Sequence, residues 1–120
     1  MDVTVPKKDL VRLVGRCQGV ADKKSTMPAL SNVLISVSGP SELRVAATDL
    51  YLAMSGVAGN VEVRKGGSIA VPARDLFERI KMMPDGPVHL ATTDGFSLSV
   101  RAGTIARRYT LRGMPGEDFP

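Results

Sequence analysis

Tryptophan is absent from this 120-residue sequence, cysteine and histidine occur once each, and aromatic residues make up 4%. Each scarcity excludes something. A single cysteine, Cys17, rules out a disulfide within the chain and a cysteine-based zinc site. A single histidine, His89, argues against a Ser-His-Asp triad or a histidine metal cage. With so few aromatics the core has to be built from Val, Leu, Ile, Met and Ala. No apolar run approaches the roughly 18 residues of a membrane span, and the opening stretch MDVTVPKKDL lacks the apolar segment of a signal peptide. The expected compartment is the cytoplasm, with no membrane partner.

What is present is an ordinary globular composition, 43% hydrophobic and 23% charged. Sixteen Lys and Arg against twelve Asp and Glu leave a net charge of +4. That mild basic bias is compatible with a polyanionic partner. The length suits one domain, residues 1–120, able to bury a core without covalent staples.

The sequence repeats itself. Val3-Thr4-Val5-Pro6-Lys7-Lys8-Asp9-Leu10 matches Ile69-Ala70-Val71-Pro72-Ala73-Arg74-Asp75-Leu76 at an offset of 66 residues. In both copies a short alternating strand runs into a proline placed for the first helical turn, where the missing N–H costs nothing. An acidic residue follows, favourable to the helix dipole. Leu10, Leu13, Val14 and Cys17 then recur at helical spacing, as do Ala73, Leu76, Phe77 and Ile80, with Met83 continuing that stripe. These patterns predict helices over about Lys7–Gln18 and Pro72–Met83.

Strand-like segments follow each helix: Asn32–Ser38, Glu42–Thr48 and Tyr51–Ala58, then Val88–Thr92, Phe96–Arg101 and Ile105–Arg112. Asp94-Gly95 reads as a hairpin turn. The expectation is two β-α-β-β-β units, about 1–60 and 61–120, joined near Lys65-Gly66-Gly67. Their helices cover antiparallel sheets on one side, an α+β fold. The stretch from Arg112 to Pro120 reads as a loop.

Charge is ordered on the predicted helices. Lys8, Arg12 and Arg16 recur opposite the first apolar stripe, and Arg74 and Lys81 lie away from Leu76 and Ile80. Two related helices presenting cations suit phosphates, which position a nucleic-acid backbone without reading its sequence. The plainer alternative is a set of solvated surface charges. Lys65-Gly66-Gly67-Ser68 has the wrong order for a phosphate loop. Asp49 has no nucleophile or second acid spaced to help it and reads as a turn residue. Cys17 belongs on the apolar helix face. No catalytic constellation is found, and no metal or cofactor is expected. In the last strand Arg107 and Arg108 stand beside Tyr109 and Leu111, mixing cations with apolar side chains on an edge suited to docking another strand.

Several stretches carry a resemblance. Thr26-Met27-Pro28-Ala29-Leu30-Ser31-Asn32-Val33-Leu34 resembles the T-L-P-I-L-x-N-(V/L)-L of the bacterial sliding clamps, the beta subunits of DNA polymerase III. Ala47-Thr48-Asp49-Leu50 resembles their G-T-D-L, Val71-Pro72-Ala73-Arg74 their V-P-A-R, Val100-Arg101-Ala102-Gly103 their V-R-S-G, and Glu117-Asp118-Phe119-Pro120 the A-x-D-F-P that closes their first domain. The resemblance implies a DNA-clamp domain with a pseudo-twofold pair of β-α-β-β-β units whose helices face a central hole. It implies a non-catalytic processivity factor for DNA replication, part of a head-to-tail homodimeric ring around duplex DNA. DNA polymerase III and the clamp loader would be reached through other domains. By position it puts Lys24 near DNA and Arg74 on the helix facing the hole. Arg108, Tyr109 and Leu111 match an Arg-aromatic-x-Leu strand at the subunit interface. The alternative from a different class is a stand-alone monomeric module binding nucleic acid without sequence preference.

Overall fold

Strand, proline and helix follow one another twice, for the same local reasons. Val3 and Val5 point into the core from β1 (Asp2–Pro6), and α1 (Lys7–Gln18) buries Leu10, Leu13, Val14 and Cys17. Ile69 and Val71 do the same from β6 (Gly67–Pro72), and α2 (Ala73–Lys81) buries Ala73, Leu76 and Ile80. Pro6 and Pro72 are N-caps, with φ of −60° and −56°; α1 spans the expected Lys7–Gln18, whereas α2 starts just after Pro72 and ends at Lys81 rather than Met83. The ring fixes a φ that serves the last extended residue as well as the first helical one. Neither helix has a side-chain cap; Asp9 and Asp75 in the first turns offset the exposed N–H groups instead.

The computed structural model describes residues 1–21, 28–49, 51–59, 61–93, 95–102 and 107–120. After α1 come β2 (Asn32–Ser38), β3 (Glu42–Thr48), β4 (Ala53–Ala58) and β5 (Glu62–Lys65). After α2 come β7 (Pro87–Thr93), β8 (Ser97–Ala102), β9 (Arg107–Arg112) and the short β10 (Met114–Pro115). Two of these are additions to the sequence reading: β5 lies in the stretch taken as a link, and β10 in the stretch taken as a loop. Phe96 is another departure. It alternates with Leu98 and Val100, yet it sits in the turn after Gly95 with φ 59° and is exposed. Tyr51 and Leu52 likewise precede β4 rather than belonging to it.

The strands form two five-stranded sheets, ordered β5-β1-β7-β8-β9 and β10-β6-β2-β3-β4, with every pair antiparallel. Each sheet therefore takes its β1-type strand from one half of the chain and its three-stranded meander from the other. The registers correspond pair for pair. Val33 faces Val71 and Ile35 faces Ile69 in one sheet; Val88 faces Val5 and Leu90 faces Val3 in the other. Leu43, Val45 and Ala47 of β3 are buried, as are Leu98, Val100 and Ala102 at the matching places of β8. Both helices lie on these inner faces and touch each other. Gly15 permits that approach: a Cβ there would lie 3.0 Å from the Phe77 ring. Each fully buried Leu or Ile, such as Leu10, Leu76 or Ile80, contributes about 1.5–3 kcal/mol of transfer free energy.

Candidate nucleic-acid surface and edge strand

The apolar stripe that seats α1 leaves Lys8, Arg12 and Arg16 exposed, and α2 exposes Arg74, Arg79 and Lys81. The two helices pack against each other, so these exposed cations belong to one helical layer, Arg79 lying at its border with the edge strand. Some are engaged locally. Arg12 Nη2 lies 3.8 Å from Asp9 Oδ1, and Lys81 Nζ lies 3.8 Å from Glu78 Oε2 and 4.7 Å from the centre of the Phe77 ring. Such exposed i,i+3 pairs contribute about 0.3–0.5 kcal/mol and yield easily to a stronger anion. Among the described residues no carboxylate pairs with Lys8, Arg16 or Arg74. Lys24 and the whole Asp22–Thr26 segment around it lie outside the described residues, as do Leu50 and Asp94.

The second candidate region is β9, an edge strand of its sheet. Its alternation sends Tyr109 and Leu111 inward, opposite Val100 and Leu98, while Arg108, Thr110 and Arg112 stand on the outer face opposite Arg101, Ser99 and Ser97. Leu111 is only 7% exposed and belongs to the domain's own core. It supports the strand from beneath, whereas the sequence reading counted it among the docking side chains. Tyr109 is half-buried, and the Arg79 guanidinium lies 4.6 Å from its ring centre. Arg79 was not singled out from sequence. The signal that could have found it is the repeat itself, in which Arg79 stands where the first helix has Leu13. The backbone of Arg107 opens β9 opposite Ala102.

Beside this edge Arg101 donates from Nε to His89 Nδ1 at 3.1 Å, and His89 Nε2 lies 2.6 Å from Asp2 Oδ1. Because arginine can only donate, Nδ1 must accept and Nε2 carries the proton given to Asp2. The chain fixes Arg101 on the outer face, next to Arg108.

The remaining singled-out residues have structural posts. Asp49 accepts N–H bonds from Leu52 at 2.6 Å and Tyr51 at 2.9 Å, and these hold its carboxyl below the usual carboxylate range. Cys17 is buried with Sγ 3.6 Å from the Val45 carbonyl, and burial pushes its thiol up. Met83 is buried and Met82 exposed. Among the described residues there is no cluster of His, Cys, Asp or Glu able to hold a metal ion, and no helix long and apolar enough to cross a membrane.

Comparison with known proteins bears on this arrangement directly. The family model described as DNA polymerase III beta subunit, N-terminal domain, matches residues 1–120. A beta sliding clamp of Pseudomonas putida is 34% identical over 120 residues, all of this chain but 32% of the relative. That of Escherichia coli K12 is 29% identical over the same span. A crystal structure of the DNA polymerase sliding clamp from Caulobacter crescentus superimposes with a TM-score of 0.89 at 34% identity, covering 100% of this chain and 32% of that one. The DNA polymerase III subunit beta of Pseudomonas aeruginosa gives 0.89 at 33% identity, covering 100% of this chain and 31% of that one. The chain thus spans about a third of the length of the relatives it matches.

Proposed function

Because the chain belongs to the family of DNA polymerase III beta subunit N-terminal domains, we propose that residues 1–120 act as one domain of a sliding clamp, a non-catalytic processivity factor of cytoplasmic DNA replication. Its two halves divide near residue 60. The observation that carries the reading is the paired helical layer, on which Lys8, Arg16 and Arg74 are without a carboxylate partner among the described residues. Fixed cations on a smooth helical surface attract phosphates wherever the duplex presents them, and they form few directional bonds. Such contacts hold DNA without a sequence preference and without a barrier to sliding. Arg12, Lys81 and Lys24 join this set, Lys24 through the family resemblance alone.

Processivity then comes from enclosure, with polymerisation left to another subunit. The β9 edge supports a subunit contact, with Arg108 and Tyr109 facing an acidic and apolar partner strand, Leu111 holding the strand from below, and Arg107 included through its place in the sequence of the strand. In this reading the complete subunit closes as a head-to-tail homodimer, and DNA polymerase III and the clamp loader dock on parts of the subunit that this chain does not span.

The test is the salt dependence of DNA binding by the complete ring. Neutralising Lys8, Arg12, Arg16, Lys24, Arg74 and Lys81 is expected to lower the slope of log K against log salt by about 0.9 for each phosphate no longer neutralised. An unchanged slope would show these to be solvated charges. Tight DNA binding by the 120-residue chain alone would favour a monomeric binding module, since enclosure then adds nothing.

A further inference from the structure

The two halves place different side chains at one equivalent contact. Where α1 sets Leu13 over Gly56 of β4, α2 sets Arg79 over Tyr109 of β9. The equivalence follows from register: Gly56 faces Val45, and Tyr109 faces Val100 at the matching position of the other sheet. In the first half the leucine itself fills the space, fully buried. In the second, Leu111 stands where the first half has Ala58, and the larger Tyr109 ring lies half-buried at the rim. One face of it is covered by a guanidinium.

From this we infer that Arg79 is a positioning residue for the β9 edge, fixing the Tyr109 ring in the orientation it presents to a partner subunit. The inference rests on the reading of β9 as a subunit edge. A planar guanidinium suits the task because it stacks on an aromatic face while its N–H groups stay in water, which neither an ammonium nor an alkyl chain does equally well. Among the described residues no carboxylate pairs with Arg79, so no ion pair competes with the ring for its guanidinium. Of the cations on α2, Arg79 therefore serves the edge strand, while Arg74 and Lys81 serve the helical surface.

A double-mutant cycle on the complete subunit tests this, with dimer dissociation followed by sedimentation and the Tyr109 ring signals by NMR. Arg79→Ala is expected to weaken the dimer about two- to fivefold, from the strength of an exposed cation–π contact, and to move the ring signals. Arg79→Lys should restore little of either. In a Tyr109→Leu background Arg79→Ala should have no further effect on association, and the salt slope of DNA binding should not change. Equal weakening by Arg79→Ala with and without the tyrosine would overturn the positioning role. If Tyr109→Leu leaves the dimer intact, the edge reading itself fails and takes the inference with it. Ring signals that ignore Arg79→Ala would sink the inference while leaving the edge reading in place.

Discussion

The first half of the chain closes its helix-to-strand contact with an aliphatic side chain on a glycine, the second with a cation on a ring. Leu13 is fully buried, and a Cβ on Gly56 would come within 2.6 Å of Leu13 Cδ2. A cleft of about 220 Å³ lined by Leu13, Arg16, Cys17, Met54, Ser55 and Gly56 opens beside that contact. Arg79 is exposed, and the ring it covers is half-buried. One backbone register thus supports two chemistries, one that serves the core and one that faces outward. A repeat preserves geometry more strictly than it preserves the source of its stability.

Mutations at equivalent positions should separate the two halves. Leu13→Ala is expected to cost the 120-residue chain about 2–5 kcal/mol, the usual penalty of a buried leucine truncation, whereas Arg79→Ala costs about 1 kcal/mol or less. Urea denaturation measures both, and equal costs would erase the contrast. Gly56→Ala comes next, at about 1–3 kcal/mol of overpacking against Leu13. In a Leu13→Ala background that penalty should largely vanish, because the opposing methyl is gone. Across β9 the same contrast recurs on a smaller scale. Arg108→Ala, on the outer face, is expected to change stability by no more than about 0.5 kcal/mol, far less than Leu111→Ala beneath it.

The smallest effect belongs to the turn before β4. The Leu52 and Tyr51 amides hold the Asp49 carboxyl below its usual range. A depressed value in the folded state contributes stability above the ordinary Asp value of about 3.9, and that contribution is lost as pH falls through the folded value. Faster exchange of the Tyr51 and Leu52 amides in strong acid, absent in Asp49→Ala, checks the sign.

Much of this was legible in the sequence because local chemistry sets it. The apolar spacing from Leu10 to Cys17 gives α1 its buried face, and Asn32–Ser38 and Glu42–Thr48 are strands over the residues that alternation marks. Exchange of the first strands was not legible. Val3 and Val5 carry the same pattern as Ile69 and Val71, so either pair fits either meander, and only the assembled sheets distinguish them. Phe96 misled because strand alternation and a turn residue following Gly95 look alike until φ is known. At the candidate sites, charge periodicity marked Lys8, Arg12 and Arg16 as exposed. It could not mark Leu111 as core, since inward and outward faces of an edge strand depend on register with Leu98.

Exchange of the first strands also bears on how the chain assembles during synthesis. Asp2 faces Ala91 and Pro6 faces Pro87, so β1 leaves the ribosome about eighty residues before its partner in β7 exists. At about 5–20 residues per second that is a wait on the order of ten seconds. Meanwhile β2, β3 and β4 can pair locally, and β6 emerges in time to join β2. β1 carries the same alternating apolar pattern as β6, so β2 meets two strands of matching pattern in the order of synthesis, and its native partner is the later one, through Ile69 and Val71.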